Sequence, residues 1–294
     1  MRQFSCPGLA ASYRKEIAVM KRLFCHVCVL LAAVTLLSLC TVAGAAGTQV
    51  IDASHTQAGY VTVSYTSTAR LKVGIQYGSG KTAYRDCPSG TTSFALDQGN
   101  GTYTVSVCQN VSGTSYKVVA KQTMNVTVNS AYAPYLVSTS EVRFVPGDAV
   151  TTKAAELCKN AKTDEQKVVA IYNFIASRYT YDNTLASKIT SGQIKTYIPS
   201  PANTLNSTKG ICYDLSSLFA AMCRSQNIPC ALTKGYSGSS YHAWNKVNIS
   251  GNWYQIDMTY AVTKRVINET TFAGCVSSLT YSQQSDTLAV SAVA

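Results

Sequence analysis

One short stretch, KGICYDLSSLFAAMCRSQNIPC, carries Cys212, Cys223 and Cys230, and their positions differ in what they allow. Apolar residues at helical spacing predict a helix over residues 212 to about 225, with a buried stripe of Leu215, Leu218, Phe219, Met222 and Cys223. Pro229 blocks a helix, so Cys230 is expected to begin a strand. Cys212 is the first helical residue, where the helix dipole favours a thiolate and therefore a nucleophile.

A base for that thiol is provided by His242, the only histidine that follows the cysteine stretch. The segment YHAWNKVNISGNWYQIDM predicts a hairpin with strands over residues 241–249 and 252–258, joined by a two-residue turn. In that register His242 and Asp257 lie on the same face, within reach of each other. The spacing alone therefore brings a carboxylate to an imidazole.

These residue types predict a catalytic triad. Cys212 would be the nucleophile, His242 the general base and acid, and Asp257 the group that holds the ring tautomer. Backbone N–H groups at the helix start could stabilise an oxyanion, and Asn206 is a candidate side-chain donor. Asp214, in the first helical turn, would oppose formation of the thiolate.

Other uses of the cysteines are less favoured by their spacing. A zinc site would need widely separated ligands without any Cys-x-x-Cys pair, namely Cys212, Cys223, Cys230 and His242. Cys212 could be an inert thiol at a helix end, and Cys223 is expected to be a core thiol. Cys230, Cys158 and Cys275 are expected to be core thiols or disulfide partners. The sequence therefore predicts no metal and no cofactor.

Three sequence blocks resemble the transglutaminase-like superfamily: GICYDLSSLFAAMCRSQNIPCALTKGY, YHAWNKV and GNWYQIDMTY. The family's blocks run Gly-x-Cys on a helix, His-Ala-Trp on a strand and Trp-Tyr-x-x-Asp-x-Thr on the next strand. The resemblance covers roughly residues 150–260 and implies a papain-like α+β fold with Cys212, His242 and Asp257 as catalytic residues. Met258 stands where the family usually has proline, which removes no reacting group.

The region that precedes the transglutaminase-like blocks has the pattern of β-strands. From residue 48 to about 130, short alternating runs such as YVTVSYT and TYTVSVCQ are separated by turn residues. This pattern indicates an all-β, immunoglobulin-like sandwich, in which a Cys87–Cys108 disulfide is favoured over two free thiols. The fold class predicted for the chain is thus α+β, with a transglutaminase-like domain at residues 140–285 preceded by the sandwich at residues 48–130.

The first 46 residues are predicted to be an N-terminal extension and a secretory signal peptide. From Met20, the expected true start, a basic start is followed by an uncharged apolar stretch and then by small residues, with cleavage after Ala45 or Ala46. The alternative is an uncleaved anchor. The style of the signal favours a bacterial source, and a secreted or cell-surface protein is expected.

The net charge of the chain limits the kinds of binding partner that are expected. The formal net charge is +11, but no run of Lys and Arg occurs, so nucleic-acid binding is disfavoured and attraction to an anionic cell-wall polymer is expected instead. The predicted function is an exported thiol enzyme that acts on glutamine side chains or peptide amides of proteins, with an amine or water as acyl acceptor. The alternatives are a cysteine peptidase or amidase of cell-wall peptides and a catalytically silent binding or scaffold protein.

Overall fold

The computed structural model describes residues 49–283. The predicted extension and signal peptide at residues 1–46 lie outside the described residues. Within residues 49–283, no helix is both long and apolar enough to cross a membrane. Two hydrophobic cores are present, one among residues 51–126 and the other among residues 142–275.

The first core lies between two antiparallel sheets, with strand orders β1-β2-β5 and β4-β3-β6-β7. Their strands are β1 (Ile51–Asp52), β2 (Tyr60–Tyr65), β3 (Leu71–Tyr77), β4 (Ala83–Cys87), β5 (Gly90–Ala95), β6 (Gly101–Ser112) and β7 (Ser115–Val126). Alternation decides which side chains enter the core, as in β2, where Val61 and Val63 are fully buried. The predicted all-β sandwich is confirmed, whereas its immunoglobulin-like character and the domain limits stay predictions.

The predicted Cys87–Cys108 disulfide is wrong, because both thiols are free. Cys87 pairs with Leu71 and Cys108 pairs with the next residue, Lys72. Successive strand residues point to opposite faces of a sheet, so the two sulfurs lie on opposite sides. Cys87 packs in the core between the sheets, and Cys108 lies on the outer face.

The second core combines helices with a further antiparallel sheet of order β12-β11-β10-β13, and this confirms the predicted α+β class. A short parallel pair, β8 and β9, forms a separate two-stranded sheet. The elements are α1 (Ala149–Cys158), α2 (Asp164–Arg178), β8 (Thr180–Tyr181), α3 (Asn183–Thr190), α4 (Pro201–Leu205), β9 (Lys209–Gly210), α5 (Cys212–Ser225), β10 (Cys230–Ser237), β11 (Ser240–Ile249), β12 (Asn252–Ile256), α6 (Met258–Lys264), α7 (Phe272–Cys275) and β13 (Ser282–Gln283).

Helix α5 has the predicted limits and lies at the centre of this core. The predicted stripe, from Leu215 to Cys223, is fully buried, and so are Ser216 and Ser217 on other faces of the helix. The Ser216 hydroxyl donates to the Ala243 carbonyl over 3.1 Å, so the buried polar group is satisfied by strand β11. A helix that is buried on every side holds its first residue, Cys212, in a fixed position.

The hairpin of β11 and β12 has the predicted register, in which Ile249 pairs with Asn252. Ser250 and Gly251 form the turn with positive φ angles of 51° and 88°. Two consecutive positive φ angles are typical of the type I′ turn that suits a twisted hairpin. The register that places His242 relative to the second strand is therefore confirmed.

The predicted end of the second strand is wrong. Strand β12 ends at Ile256, and Asp257 is the N-cap residue of α6. Its Oδ1 accepts hydrogen bonds from the backbone N–H groups of Thr259 at 2.8 Å and Tyr260 at 3.1 Å. Capping two of the otherwise unpaired N–H groups at a helix start fixes the orientation of this carboxylate.

Candidate active site

Cys212 begins helix α5 directly after strand β9, and its side chain is half-buried. The nearby Asp214 carboxylate is occupied elsewhere: its Oδ2 accepts the Ile211 N–H at 3.1 Å, and its Oδ1 accepts the Tyr197 hydroxyl at 2.7 Å. Burial raises the pKa of Asp214 above its usual value despite these hydrogen bonds. Asp214 therefore caps the helix that presents the thiol.

His242, on β11, meets Asp257 at the start of α6. The His242 Nε2 lies 3.0 Å from Asp257 Oδ2, which leaves Nδ1 as the ring nitrogen available to the thiol. Burial opposes protonation of the ring, but hydrogen bonding to Asp257 and to Cys212 outweighs burial and raises the pKa of His242 to about 9. The structure thus brings together the three residues that the sequence singled out.

The Asp257 carboxylate has one further partner that sequence analysis missed. The Tyr281 hydroxyl donates to Asp257 Oδ2 over 2.7 Å, and its ring stacks on Trp244 with centroids 4.6 Å apart. Although burial favours the neutral acid, the hydrogen bonds from His242 and Tyr281 hold the pKa of Asp257 below its usual value. Tyr281 directly precedes strand β13, which pairs with β10. No local sequence motif predicts this pairing.

Tyr181 is a second residue that sequence analysis missed. It pairs with Gly210 in the parallel β8–β9 contact, which places its side chain beside Cys212. Burial, together with the interaction with Cys212, raises the pKa of Tyr181 to about 12. The predicted oxyanion donor Asn206, in contrast, is exposed at the end of α4 and does not line the cavity that contains the thiol.

This cavity has a volume of about 600 Å³ and is lined by both Cys212 and His242. Tyr181, Tyr197 and Tyr213 contribute to the same cavity, so aromatic surface surrounds the thiol. Its volume lies within the roughly 300–1,000 Å³ of typical ligand pockets. A substrate segment could reach the thiol and the imidazole at the same time.

A second buried carboxylate, Glu141, also lines this cavity. Its side chain accepts hydrogen bonds from Tyr213 at 2.6 Å, Lys234 at 2.8 Å and Arg85 at 3.0 Å. Burial favours the neutral acid, but the two cations outweigh it and hold the pKa of Glu141 well below its usual range. Glu141 therefore links the sandwich to the residue that follows Cys212.

The remaining cysteines do not join the site. Cys158, Cys223, Cys230 and Cys275 are buried free thiols of the second core. No group of three or more His, Cys, Asp or Glu residues in the part of the chain that the structure describes could hold a metal ion.

Comparisons with known proteins agree with the sequence blocks. The model of the Transglutaminase-like superfamily matches residues 151–258. The chain is 30% identical over 118 residues to Kyphoscoliosis peptidase of Homo sapiens, and equally to that of Mus musculus. These matches cover 36% of this chain and 17% of the relatives, so the chain spans only a small part of the relatives' length.

Among solved structures, a candidate cysteine protease from Cytophaga hutchinsonii is similar, with a TM-score of 0.39 and 16% identity over 70% of this chain and 74% of that chain. The residues that the family model matches include Cys212, His242 and Asp257. Residues 151–258 of this chain therefore form a domain of the transglutaminase-like superfamily.

Proposed function

We propose that this protein is an exported thiol enzyme that acts on amide bonds of proteins or peptides through Cys212, His242 and Asp257. The observation that carries the proposal is the 3.0 Å contact between His242 Nε2 and Asp257 Oδ2, in a cavity that His242 shares with Cys212. A nucleophile, a base and an orienting carboxylate in this order are the parts that covalent acyl transfer requires.

The raised pKa of His242 suits the acylation step. At neutral pH the ring is protonated, and an imidazolium beside a thiol favours the thiolate. The Cys212 sulfur attacks the carboxamide carbon, so a C–S bond forms as the C–N bond breaks. His242 Nδ1 gives its proton to the departing nitrogen, and ammonia or an amine leaves a thioester behind.

The negative oxygen that develops during this attack needs donors close to Cys212. The backbone N–H of Cys212, at the start of α5, is one candidate, and the Tyr181 hydroxyl beside it is the other. Tyr181 thus replaces Asn206 as the candidate side-chain donor to the oxyanion.

The second step, deacylation, regenerates the free Cys212 thiol. An amine or a water molecule attacks the thioester and gives a proton to His242 Nδ1, which yields a new amide or a carboxylic acid. Acyl transfer to an amine is the function we propose first. Hydrolysis is the second candidate, because the human and mouse relatives are named peptidases.

Export is part of the proposal. It is supported by the basic start, apolar stretch and small-residue exit that follow Met20 in the sequence. Sequencing the N-terminus of the protein recovered outside the cytoplasm should give a new terminus after Ala45 or Ala46. A protein that retains Met1 or Met20 would contradict cleavage.

The activity can be tested with a glutamine-rich protein and a labelled primary amine, while label, ammonia and peptide fragments are followed. The wild type should form product, and Cys212→Ala should form none. Cys223→Ala is the matched control, because it removes a buried thiol of the same helix; it should keep activity and lose about 1–2 kcal/mol of stability.

The acyl acceptor follows from the product. Incorporated label indicates transfer, ammonia without label indicates deamidation, and fragments indicate peptidase activity. A wild type that forms no product, and whose Cys212 does not react with iodoacetamide near neutral pH, would leave only the scaffold alternative.

A further inference from the structure

The outer face of the β-sandwich reaches into the cavity of Cys212. Lys72 on β3 and Tyr84 and Asp86 on β4 line this cavity, and we call them the sandwich wall. Lys72 pairs with Asp86 in the sheet register, and Tyr84 pairs with Gly74, so all three side chains point away from the sandwich core. The sandwich is thus part of the site rather than only its neighbour.

The two sides of the cavity differ in chemistry. Ala186 and Ile189 on α3, together with Ile194 after it, also line the cavity, and we call them the apolar wall. The sandwich wall instead carries an ion pair, in which Lys72 Nζ lies 2.7 Å from Asp86 Oδ1. Both of these side chains are mostly buried, with 12% and 24% of their surface exposed.

We propose that the sandwich wall and the apolar wall together form the subsite for residues flanking the reactive amide, and that this subsite selects an extended peptide segment with uncharged flanks. The inference rests on the proposed function, because it concerns the substrate of the same thiol. It assigns to the sandwich a role in substrate choice.

Charge accounts for the selectivity. Lys72 forms an ion pair with Asp86, Lys234 forms one with Glu141, and Arg85 forms ion pairs with both Glu141 and Asp97. A charged side chain that enters between the two walls has to compete with one of these pairs or lie against the apolar wall, and both cost desolvation. Lys195, which also lines the cavity, is exposed, so it offers an acidic flank only a contact that solvent screens. An apolar or aromatic side chain next to the reactive amide incurs neither desolvation cost, and it can pack against the isoleucine and tyrosine side chains of the cavity.

The test uses a series of peptides, each with one glutamine flanked by leucine and tyrosine, by glutamate or by arginine. The wild type should prefer the uncharged flanks. Asp86→Asn leaves Lys72 without its carboxylate, so kcat/KM for the glutamate-flanked peptide should rise roughly 5-fold and that for the arginine-flanked peptide should fall. The change should appear in KM, with kcat unaltered.

Asp164→Asn is the matched control. It removes the carboxylate of another lysine pair, 2.7 Å from Lys167 on α2, at residues that do not line the cavity. It changes the net charge of the protein equally and should leave peptide preference unchanged. The alkylation rate of Cys212 by iodoacetamide, a small neutral reagent, should be the same in the wild type and Asp164→Asn.

A gain for one peptide and a loss for another cannot arise from misfolding. If Asp86→Asn does not fold, Lys72→Gln should give the opposite shift, in favour of the arginine-flanked peptide. Turnover with unchanged flank preference in these variants overturns this inference and leaves the proposed function standing. A wild type without any turnover of amides overturns both.

Discussion

Two buried carboxylates are each hydrogen-bonded to a residue that lines the Cys212 cavity, and they differ in what surrounds them. Asp257 and Glu141 are each 5% exposed. Asp257 faces the titratable ring of His242 and the hydroxyl of Tyr281. Glu141 accepts hydrogen bonds from the cationic side chains of Arg85 and Lys234 and from the hydroxyl of Tyr213.

This difference indicates different roles. Asp257 sets the protonation of the catalytic histidine, whereas Glu141 holds the sandwich and the second core together. A negative charge beside an imidazole changes the protonation of that ring, and here it raises the pKa of His242 to about 9. A negative charge between two cations forms ion pairs with both of them and does not alter the protonation of a catalytic group. Loss of Asp257 should therefore reduce catalysis, whereas loss of Glu141 should reduce stability.

The largest expected effect is that of Asp257→Asn on catalysis. The amide still caps α6 through its oxygen, but it turns an N–H toward His242 and removes the charge that favours the imidazolium. We expect kcat to fall about 10³- to 10⁴-fold while the melting temperature changes little. Steady-state kinetics and thermal unfolding of the same preparation measure both quantities.

The pH profile provides the control for this variant. Because its pKa is raised above the usual 6.5, His242 stays protonated to about pH 9, and wild-type kcat/KM should fall as pH rises through 9. In Asp257→Asn the residual activity should be lost at lower pH, since a main cause of the raised pKa is gone. An unshifted alkaline limb would contradict the role given to Asp257.

Glu141→Gln should have the largest effect on stability. Removing the charge takes away the buried carboxylate that Arg85 and Lys234 share, which should cost about 3–5 kcal/mol of unfolding free energy. Arg85 keeps the Asp97 carboxylate, 3.7 Å away. Activity of the folded protein should change far less than in Asp257→Asn. Denaturant unfolding at pH 7 measures the cost, and a larger loss of kcat than of stability would reverse the comparison.

The stability difference should also depend on pH with a definite sign. The pKa of Glu141 is depressed in the folded state, so its contribution is present above the usual value of 4.5 and is lost as pH falls below it. Wild type and Glu141→Gln should therefore converge in acid. Glu156→Gln, which breaks the exposed Lys153–Glu156 pair of α1, is the control and should give no resolvable change at either pH.

The comparison also shows which parts of the site a sequence can predict. Helix α5 and the β11–β12 register follow from local patterns, namely apolar spacing after Cys212 and a two-residue turn at Ser250–Gly251. The sequence pattern correctly pairs Asp257 with His242 but wrongly predicts that the strand includes Asp257, because the alternation of NWYQID continues up to the helix cap.

The partners of the two carboxylates come from distant segments. Tyr281 reaches Asp257 through β13, and Glu141 meets Lys234 across a long separation in sequence. No turn or repeat fixes such contacts, since they depend on how whole elements pack. The Cys87–Cys108 prediction failed for a related reason: strand parity, not the presence of two cysteines, decides whether sulfurs meet.

The smallest expected effect is that of Tyr281→Phe, which keeps the ring stacked on Trp244 and removes only the hydroxyl from Asp257. That hydrogen bond lowers the pKa of Asp257, so its loss should move the acid limb of the kcat/KM profile to higher pH. Activity at pH 7 should stay within a few-fold of the wild type. Tyr179→Phe, which removes a hydroxyl bonded to the Thr204 carbonyl, is the matched control and should leave the limb in place. An acid limb that does not move in Tyr281→Phe would mean that Asp257 needs only His242 and the start of α6 to stay ionised, which would make its environment still more different from the three-partner site of Glu141.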